Sequence, residues 1–270
     1  MKLIDCCMYF DEDLVLDIRL HTLYHQVDKF VIAEATRTHA GQKKKLNFEI
    51  SNFKKFKDKI NYIVIDDLPT EVDFFKKGWH SNHLRDQFQR NCLERGYKNF
   101  ADDDLIMISD VDEIPNPKKI NDFNTNKKYA CFLQKNFQSR INLLNVSENH
   151  WAGTKICKKK FLRSPQWLRD IKAKKKPFWK IFKTEIQLID DGGWHFSFLK
   201  NPQSIINKIK SYSHQEYNTS EFTNTKNIEN KISKGLDLFN RDIEYKVIDI
   251  DDTFPDYIRE NKHKFKDWIL

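Results

Sequence analysis

The chain has 270 residues, of which 39% are hydrophobic and 21 are phenylalanine, which is enough to bury a folded core and excludes a disordered chain. A formal net charge of +8 at pH 7, supplied mostly by lysine, leaves phosphate groups and anionic surfaces open as partners. No apolar run approaches the roughly 20 residues of a membrane helix, and the acidic residue Asp5 near the start argues against a signal peptide.

Four apolar runs of β type occupy the first half of the chain: 2–10, 29–34, 60–66 and 104–109. The segments between them carry apolar residues at helical spacing, namely Leu16, Leu20, Leu23 and Val27 in one gap and Leu84, Phe88 and Cys92 in another. Gly96 is interpreted as the stop of the second helix. Strands that alternate with helices predict βαβ units and a parallel sheet, whose ligands bind at the carboxyl ends of the strands.

The second half is less regular. Its predicted elements are strands over 130–144, a strand over 187–199 broken at Gly192 and Gly193, a helix from Pro202, a polar loop over 218–234 and a closing helix over 254–270. Two adjacent glycines, in a chain with only 7, imply a turn that side chains would obstruct.

Five cysteines are scattered along the chain without a C-x-x-C spacing: Cys6, Cys7, Cys92, Cys131 and Cys157. This pattern argues against a disulfide framework and against a zinc site. It favours small buried side chains in a reducing, cytoplasmic compartment.

Acidic side chains follow three of the four predicted strands. They are Glu34 after the second run, Asp66 and Asp67 after the third, and Asp110, Asp112 and Glu113 after the fourth, in the stretch LIMISDVDEIP. Any one of these acids is typical of a solvated loop. Because parallel strands bring their carboxyl ends to one edge of a sheet, the acids together predict a polar cleft.

Asp110 and Asp112 form an Asp-x-Asp pattern directly after a hydrophobic run. Carboxylates this close repel each other unless a cation compensates them. The pair offers hard oxygen ligands to Mg²⁺ or Mn²⁺, which complete their coordination shell with water and phosphate oxygens. The pattern alone is common in a chain with 39 acids. Its position after an apolar strand predicts a divalent-metal site for a diphosphate.

His195 follows the two glycines and stands between Trp194 and Phe196. A histidine among aromatic residues is usually a packed core residue. Beside an Asp-x-Asp site it becomes a candidate third metal ligand, because imidazole suits Mn²⁺ better than Mg²⁺. The sequence has no P-loop, no GxGxxG and no GxSxG motif.

Five segments occur in an order that resembles glycosyltransferase family 17: AEATRTHAGQKKKLNF (33–48), HLRDQFQRNCL (83–93), LIMISDVDEIP (105–115), GGWHFSFL (192–199) and FPDYIREN (254–261). The resemblance implies an α/β fold of the GT-A-like, Rossmann type, with a mostly parallel sheet flanked by helices and a helical C-terminal segment. It also implies a nucleotide-sugar donor (UDP-GlcNAc in the eukaryotic members), a divalent metal, Mn²⁺ or Mg²⁺, and inversion at the anomeric carbon.

Carried over by motif, Asp110 and Asp112 are expected to hold the metal and the donor diphosphate, with His195 as a further metal ligand. Glu34 is expected to line the nucleotide pocket. The same resemblance assigns 1–115 to the donor-binding half of a single domain, 116–200 to the acceptor half and 201–270 to the helical segment.

Two arginines on one predicted helix, Arg85 and Arg90, are expected to reach the donor phosphates or, alternatively, to pair with acids at the strand ends. An inverting transfer also needs a base opposite the departing diphosphate. Asp191 is the first candidate for that base, followed by Asp190, Glu113 and Glu185. Candidate sugar-stacking platforms are Trp151, Trp167, Trp179 and Trp194.

The membrane anchor of the animal members is not expected here, so a cytoplasmic enzyme acting on a soluble or lipid-linked glycan is predicted. Basic runs at 155–160 and 172–180 are expected to contact an anionic membrane, with a solvated lysine surface as the alternative. Two other classes stay open: a phosphotransferase of the haloacid-dehalogenase type, which also uses Asp-x-Asp, and a basic nucleic-acid-binding protein.

Overall fold

The structure is a computed structural model that describes residues 1–69, 81–173 and 186–270. Its strands in these ranges are β1 (Leu3–Met8), β2 (Lys29–Ala35), β3 (Ile60–Ile65), β4 (Leu105–Asp110), β5 (Glu113–Pro115), β6 (Tyr129–Gln138), β7 (Leu143–Asn145), β8 (Trp151–Lys158), β9 (Ile186–Ile189), β10 (Gly193–Ser197) and β11 (Tyr245–Val247). Its α-helices are α1 (Asp13–Leu23), α2 (Ser81–Asn91), α3 (Glu94–Tyr97), α4 (Pro165–Asp170), α5 (Pro202–Ser211), α6 (Thr225–Ser233) and α7 (Asp256–Glu260). Short 3₁₀ helices cover Ile50–Phe56, Pro117–Asp122, Lys159–Phe161, Gln215–Tyr217 and Lys262–Trp268.

The strands form one mixed sheet, whose main path runs β11–β7–β6–β8–β4–β1–β2–β3. The first four strands are parallel, because β1 pairs with β2 and β4, and β2 pairs with β3. Strand β8 is antiparallel to both β4 and β6, whereas β9 and β10 lie parallel to β6. The predicted parallel sheet is therefore confirmed for the first half of the chain. The sheet as a whole is mixed, because β8 joins β4 and β6 by antiparallel pairs and the short strands β5, β7 and β11 also pair antiparallel.

Both faces of the parallel part are covered by helices, which is why its strands are apolar at nearly every position. Leu105 and Met107 of β4 pack in the cluster that contains the buried side chains of α1. Ile106 and Ile108, which point to the opposite face, pack in the cluster that contains residues of α3 and α4. The alternation places α1 on one side of the sheet and α3 and α4 on the other.

Gly96 lies inside α3 and does not stop the preceding helix as predicted, since α2 already ends at Asn91. A Cβ on Gly96 would lie 2.3 Å from Cγ1 of Val31 in β2. The glycine is therefore required by the close approach of α3 to the sheet, a tertiary constraint that local spacing does not reveal.

The prediction of a loop over 218–234 is wrong for its second part, which forms α6. The side chain of Asn224 caps this helix by accepting a hydrogen bond from the backbone N–H of Asn227, and Ile228 and Ile232 are buried one turn apart. The predicted strands over 130–144 and the helix from Pro202 are confirmed. The closing helix is divided into α7 and a 3₁₀ helix.

The two adjacent glycines form the turn between β9 and β10, as predicted. Gly193 has φ +132°, and a Cβ there would lie 2.1 Å from the carbonyl oxygen of Ile114 in β5. A Cβ on Gly192 would lie 2.7 Å from the backbone nitrogen of Leu133. The turn passes between β5 and β6 at distances that only glycine permits.

The order of the first strands creates a switch point. The chain runs outward from β1 through β2 to β3, and then returns to place β4 on the other side of β1. In open α/β sheets, the crevice at such a point, outside the carboxyl ends of the strands, is where ligands bind. Within the described residues, none of the helices has both the length and the apolar character needed to span a bilayer.

Candidate active site

A cavity of about 260 Å³ opens at this switch point. Met8, Ala35 and Asp110, the last residues of β1, β2 and β4, line it together with side chains from α2 and α5. Residues 211–214, at the end of α5 and just after it, form one wall of the cavity. The C-terminal segment therefore contributes to the same cavity as the parallel strands.

Arg19 of α1 fixes the turn that follows β4. Its Nη1 donates to the backbone carbonyls of Asp110, Val111 and Glu113 at 3.2, 3.3 and 2.8 Å. Its Nε and Nη2 donate to the two carboxylate oxygens of Asp5, which is equally buried. Burial alone would lower the pKa of Arg19, but attraction to Asp5 outweighs it and raises the pKa. The Asp-x-Asp turn is thus bound to the core through one guanidinium.

Sequence reasoning missed Arg19, although it carries a signal. It is a lone arginine between Ile18 and Leu20, one turn after Leu16, on a helix whose apolar residues are buried. A charged side chain among core positions is retained only when it is paired and hydrogen-bonded.

Glu113 is fully buried and is bound on all sides by protein donors. Arg169 of α4 donates to both of its carboxylate oxygens, at 2.7 and 2.8 Å. Trp151 Nε1 donates to Oε1 at 2.8 Å, and the backbone N–H of Asp110 donates to Oε2 at 3.1 Å. The carboxylate has no access to the cavity, so the geometry does not support the predicted role of Glu113 as a base. It anchors the turn.

Asp110 lies at the cavity between two arginines. Arg90 Nη2 approaches its Oδ1 at 3.1 Å, and Arg169 Nη2 approaches its Oδ2 at 3.4 Å. Burial alone would raise the pKa of Asp110, but Arg90 and Arg169 lower it well below its usual value. Arg90 also pairs with Asp86 of its own helix at 3.1 Å and lines the cavity. Of the two predicted roles of Arg90, the structure has the pairing with an acid at a strand end, Asp110.

The side chain of Asp112, the second acid of the Asp-x-Asp motif, faces the imidazole of His195. His195 Nε2 lies 3.8 Å from Asp112 Oδ1, and the backbone carbonyl of Asp112 accepts from the N–H of Phe196 at 2.9 Å. On the far side of the ring, His195 Nδ1 lies 3.1 Å from Asn136 Oδ1, and the Trp151 ring stacks on the imidazole at 4.4 Å. The contact of Nδ1 with Asn136 orients the ring so that Nε2 faces Asp112.

The predicted metal ligands are only partly brought together. Asp112 and His195 converge, whereas the carboxylate of Asp110 is held by two arginines. Across the three described ranges, no group of three or more His, Cys, Asp and Glu side chains is arranged to hold a metal ion. One carboxylate oxygen and one imidazole nitrogen, oriented by a second hydrogen bond, still fit a Mn²⁺ or Mg²⁺ ion that takes its other ligands from water and phosphate.

A buried cluster of opposite charges adjoins Asp112. Lys208 of α5 places its Nζ 3.4 Å from Asp112 Oδ2 and 3.6 Å from Glu12 Oε1. Lys200 Nζ lies 3.2 Å from the same oxygen of Glu12 and also pairs with Asp11. Burial raises the pKa of Glu12, although Lys208 opposes the shift.

None of the four residues around Asp112 in this cluster was predicted as a site residue. Asp11 and Glu12 come shortly after β1, just as Asp110 and Asp112 lie at the end of β4 and shortly after it. This repeated placing of two acids at the end of a strand was the signal in the sequence. The lysines gave no such signal, because nothing in the local sequence of α5 separates Lys208 from its exposed neighbour Lys210.

Glu34 was predicted to line the nucleotide pocket, but its contacts are all with the protein. It is fully buried and accepts hydrogen bonds from the backbone N–H of Asn47 at 2.7 Å, from that of Phe48 at 3.0 Å and from the hydroxyl of Tyr62 at 2.8 Å. It also pairs with Lys44, which lines the cavity. The geometry therefore supports a positioning role for Glu34 behind the cavity wall.

Arg85 has a comparable supporting position. Its Nε donates to the carbonyl of Pro69 at 2.9 Å, and its Nη1 donates to that of His39 at 3.1 Å. The guanidinium packs against Gly41, where a Cβ would lie 3.1 Å from Cζ. His39 lines the cavity, so Arg85 orders a loop of the cavity wall from behind it.

Asp191, the first candidate base, lies in a second cavity of about 610 Å³ together with Trp194, residues 252–257 and the end of α1. Asp191 comes two residues before Gly193, the first residue of β10, and Gly193 pairs with Pro115 of β5. His195, further along β10, pairs with Glu113 beside the Asp-x-Asp turn. The structure thus separates Asp191 from Asp110 and Asp112.

We expect Asp191→Asn to retain sugar transfer within about threefold of the wild type, because the change removes a charge that is exposed and outside the first cavity. Asn also tolerates the left-handed backbone of this position, φ +50°, so the fold is preserved. Initial rates of donor consumption measure the effect. A loss of about a hundredfold or more, which is what removing a general base causes, would instead identify Asp191 as the base.

The tryptophans proposed as sugar platforms are engaged within the protein where the structure describes them. Trp151 stacks on the imidazole of the site, Trp167 packs edge-to-face on a tyrosine at 5.2 Å, and Trp194 donates from Nε1 to a backbone carbonyl at 3.0 Å. Trp179 and the base candidate Glu185 lie outside the described residues.

The basic run at 158–160 is paired with a short acidic segment. Lys158 and Lys160 contact Asp103 at 3.1 and 2.8 Å, and Lys159 contacts Asp102 at 3.3 Å. The positive charge of these three lysines is therefore partly neutralised by the two aspartates. Of the second basic run, residues 174–180 lie outside the described residues.

All five cysteines are free and buried, as predicted.

A cavity at the switch point of a parallel sheet, lined by paired carboxylates and cationic side chains, is typical of α/β enzymes that handle phosphorylated ligands. The family model of glycosyltransferase family 17 matches residues 1–266, and the chain therefore belongs to this family. The resemblance drawn from the motifs is confirmed. Family membership also argues against the two alternative classes, a phosphotransferase and a nucleic-acid-binding protein.

The chain is also similar to individual proteins. The β-1,4-mannosyl-glycoprotein 4-β-N-acetylglucosaminyltransferases of Homo sapiens and Rattus norvegicus are each 32% identical to it over 106 residues, which cover 37% of this chain and 19% of theirs. The enzyme of Mus musculus is 31% identical over the same length. The match thus spans less than a fifth of these relatives.

Among solved structures, the inositol-1-phosphate CTP transferase from T. maritima aligns with 99% of this chain and 97% of its own, at 10% identity and a TM-score of 0.36. That score is too low to establish a shared fold.

Proposed function

We propose that the protein is an inverting, metal-assisted glycosyltransferase of the GT-A type that uses a nucleotide-sugar donor. The observation that carries this proposal is the position of Asp110 and Asp112 in the cavity where β1 and β4 end. A sheet in the order β3–β2–β1–β4, continued by the antiparallel strand β8, supports the assignment to this type.

Asp112 and His195 would hold the metal ion in this proposal, with the donor diphosphate beside them. The ion, when bound, neutralises the negative charge that develops on the departing diphosphate. Arg19 holds the backbone of the Asp-x-Asp turn, and Arg90 and Arg169 hold Asp110 ionised. The site is thus oriented before the donor arrives, which removes a reorganisation cost from the reaction.

Inversion requires a base on the side of the sugar opposite to the diphosphate. Apart from the Asp-x-Asp pair, the acids that line the cavity are Glu12 and Asp86 among the described residues. We propose these two as candidates for the base. Glu12→Gln and Asp86→Asn separate them: the base is the residue whose loss abolishes turnover while donor affinity is kept.

The donor proposed is UDP-GlcNAc, and the acceptor is a hydroxyl of a soluble or lipid-linked glycan. Both proposals rest on the names of the relatives, which are N-acetylglucosaminyltransferases acting on mannosyl glycoproteins. A cytoplasmic location is supported by the five free cysteines. Peripheral contact with an anionic membrane stays a prediction, and salt-sensitive sedimentation with anionic liposomes tests it.

The function is tested by incubating the protein with UDP-GlcNAc, Mn²⁺ and a panel of mannose-containing glycans. We expect acceptor-dependent release of UDP and a product heavier by one N-acetylhexosamine, with a β-linkage by NMR because the donor is an α-glycoside. An α-linked product would contradict inversion. Turnover that is independent of Mn²⁺ after treatment with EDTA would contradict the proposed metal dependence.

A further inference from the structure

Lys208 is placed between two carboxylates by the packing of α5. Asn201 caps this helix through the N–H of Ser204 at 2.8 Å, and Ile205, Ile206 and Ile209 bury its apolar face. Lys208 extends from the edge of that face into the cavity. Its Nζ also lies 5.2 Å from the centre of the Phe198 ring, which packs on its end.

The shortest contact of Lys208 with a carboxylate is longer than the shortest such contact of Arg90, Arg169 or Lys200. Its Nζ lies 3.4 Å from Asp112 and 3.6 Å from Glu12, whereas Arg169 binds Glu113 at 2.7 Å. Charge-assisted hydrogen bonds between ammonium and carboxylate are usually about 2.7–2.9 Å long. Lys208 is therefore shared between two acids and is bound closely by neither.

Each of these acids keeps another partner if Lys208 moves away. Glu12 still has Lys200 at 3.2 Å and accepts the backbone N–H groups of Phe10 and Asp11 at 2.9 and 3.1 Å. Asp112 still faces His195, at 3.8 Å from the oxygen that Lys208 does not contact. Releasing Lys208 would leave Glu12 compensated by Lys200, and Asp112 would then rely on the metal ion that it is proposed to hold.

A diphosphate that enters the cavity brings negative charge, which carboxylates alone would repel. A lysine ammonium is a compact point charge that binds phosphate oxygens from many directions. Arg90 and Arg169 are already committed to Asp110, Asp86 and Glu113. Among the Arg and Lys side chains that contact the Asp-x-Asp carboxylates, this leaves Lys208 as the best placed to contact the phosphates, from the C-terminal side.

We propose that Lys208 is a donor-binding residue that exchanges Asp112 and Glu12 for the β-phosphate of the nucleotide. The inference deepens the proposed function and rests on it. It assigns to α5, in the C-terminal segment, a direct part in recognising the diphosphate.

The test compares a nucleoside diphosphate with its monophosphate, using UDP with UMP and GDP with GMP, by titration calorimetry. In the wild type, we expect the diphosphate of the accepted base to bind at least about tenfold more tightly than the monophosphate. Lys208→Met is expected to weaken diphosphate binding by roughly 10- to 100-fold and to leave monophosphate binding within about twofold. Lys208→Arg keeps the charge and should restore most of the difference.

Lys210→Met is the matched control, because Lys210 lies on the same helix but is exposed and outside the cavity. It should leave both affinities unchanged. An unchanged ratio of diphosphate to monophosphate affinity in Lys208→Met would overturn the inference, as would an equal loss of both affinities, which indicates a structural role. A wild type that binds neither pair would instead overturn the proposed donor class, so the two failures are distinguishable.

Discussion

Replacing Asp112 by asparagine is expected to reduce sugar transfer by a factor on the order of 10²–10³, the range for removing one preorganised charge-stabilising group from an active site. Asp112 Oδ1 faces Nε2 of His195, and Oδ2 faces Lys208. Asparagine keeps the shape of the side chain but removes the charge on which the metal site and the lysine depend. Initial rates of UDP release from UDP-GlcNAc, with and without Mn²⁺, measure the effect.

The fold should survive this change, because the backbone carbonyl of Asp112 keeps its hydrogen bond to Phe196 and Arg19 still holds the turn. Asp122→Asn is a suitable control, because the side chain of Asp122 is half exposed and pairs with Lys119 on the surface at 3.2 Å. Near-normal turnover in Asp112→Asn, in a folded protein, would remove the Asp-x-Asp site from the account.

Replacing Arg19 by methionine is expected to lower the free energy of unfolding by about 3–5 kcal/mol, because it leaves the buried carboxylate of Asp5 without its partner. The carbonyls of Asp110, Val111 and Glu113 lose a donor at the same time. For a chain of this size, the melting temperature should fall by roughly 6–15 °C. Thermal unfolding followed by circular dichroism measures the shift.

Arg95→Met provides the comparison for Arg19. Arg95 pairs with Asp67 at 2.7 Å, but the two side chains are 40% and 52% exposed. Removing a surface pair costs at most about 1 kcal/mol, so the melting temperature should change by only a few degrees. Equal shifts in the two variants would contradict the role assigned to Arg19.

The parallel core could be read from the sequence because its causes are local. Apolar runs buried on both faces mark β1, β2 and β4, a less buried apolar run marks the edge strand β3, and the change to helical spacing marks α1 and α2. Asp110 and Asp112 were recognised for the same reason, since a strand and its following acids are adjacent in the chain. His195 was found by combining the glycine turn with the Asp-x-Asp pattern, and the family resemblance gave it the same role.

The residues that the sequence did not reveal act over long distances in the chain. Lys208 reaches an acid 96 positions away, and Arg169 reaches Glu113 over 56 positions. Gly96 is required because α3 packs closely on Val31 of β2, and not because of the conformation of its own helix. Asp191 was selected for its place beside a turn, but the register of β10 on β5 directs it to another cavity. Such relations are set by topology, which one sequence does not display.

The most direct test of the central claim, that the cavity between β1 and β4 binds a metal and a nucleotide-sugar through Asp112, is a thermal-shift panel. UDP-, GDP-, CMP- and dTDP-sugars are each tested with and without Mn²⁺ on the wild type and on Asp112→Asn. A ligand at about 100 times its dissociation constant adds about 2.7 kcal/mol to the folded state, which corresponds to a rise of roughly 5–10 °C. The account predicts a rise for UDP-GlcNAc that requires Mn²⁺ and disappears in Asp112→Asn. A flat panel for the wild type, or an equal rise in the variant, would contradict it.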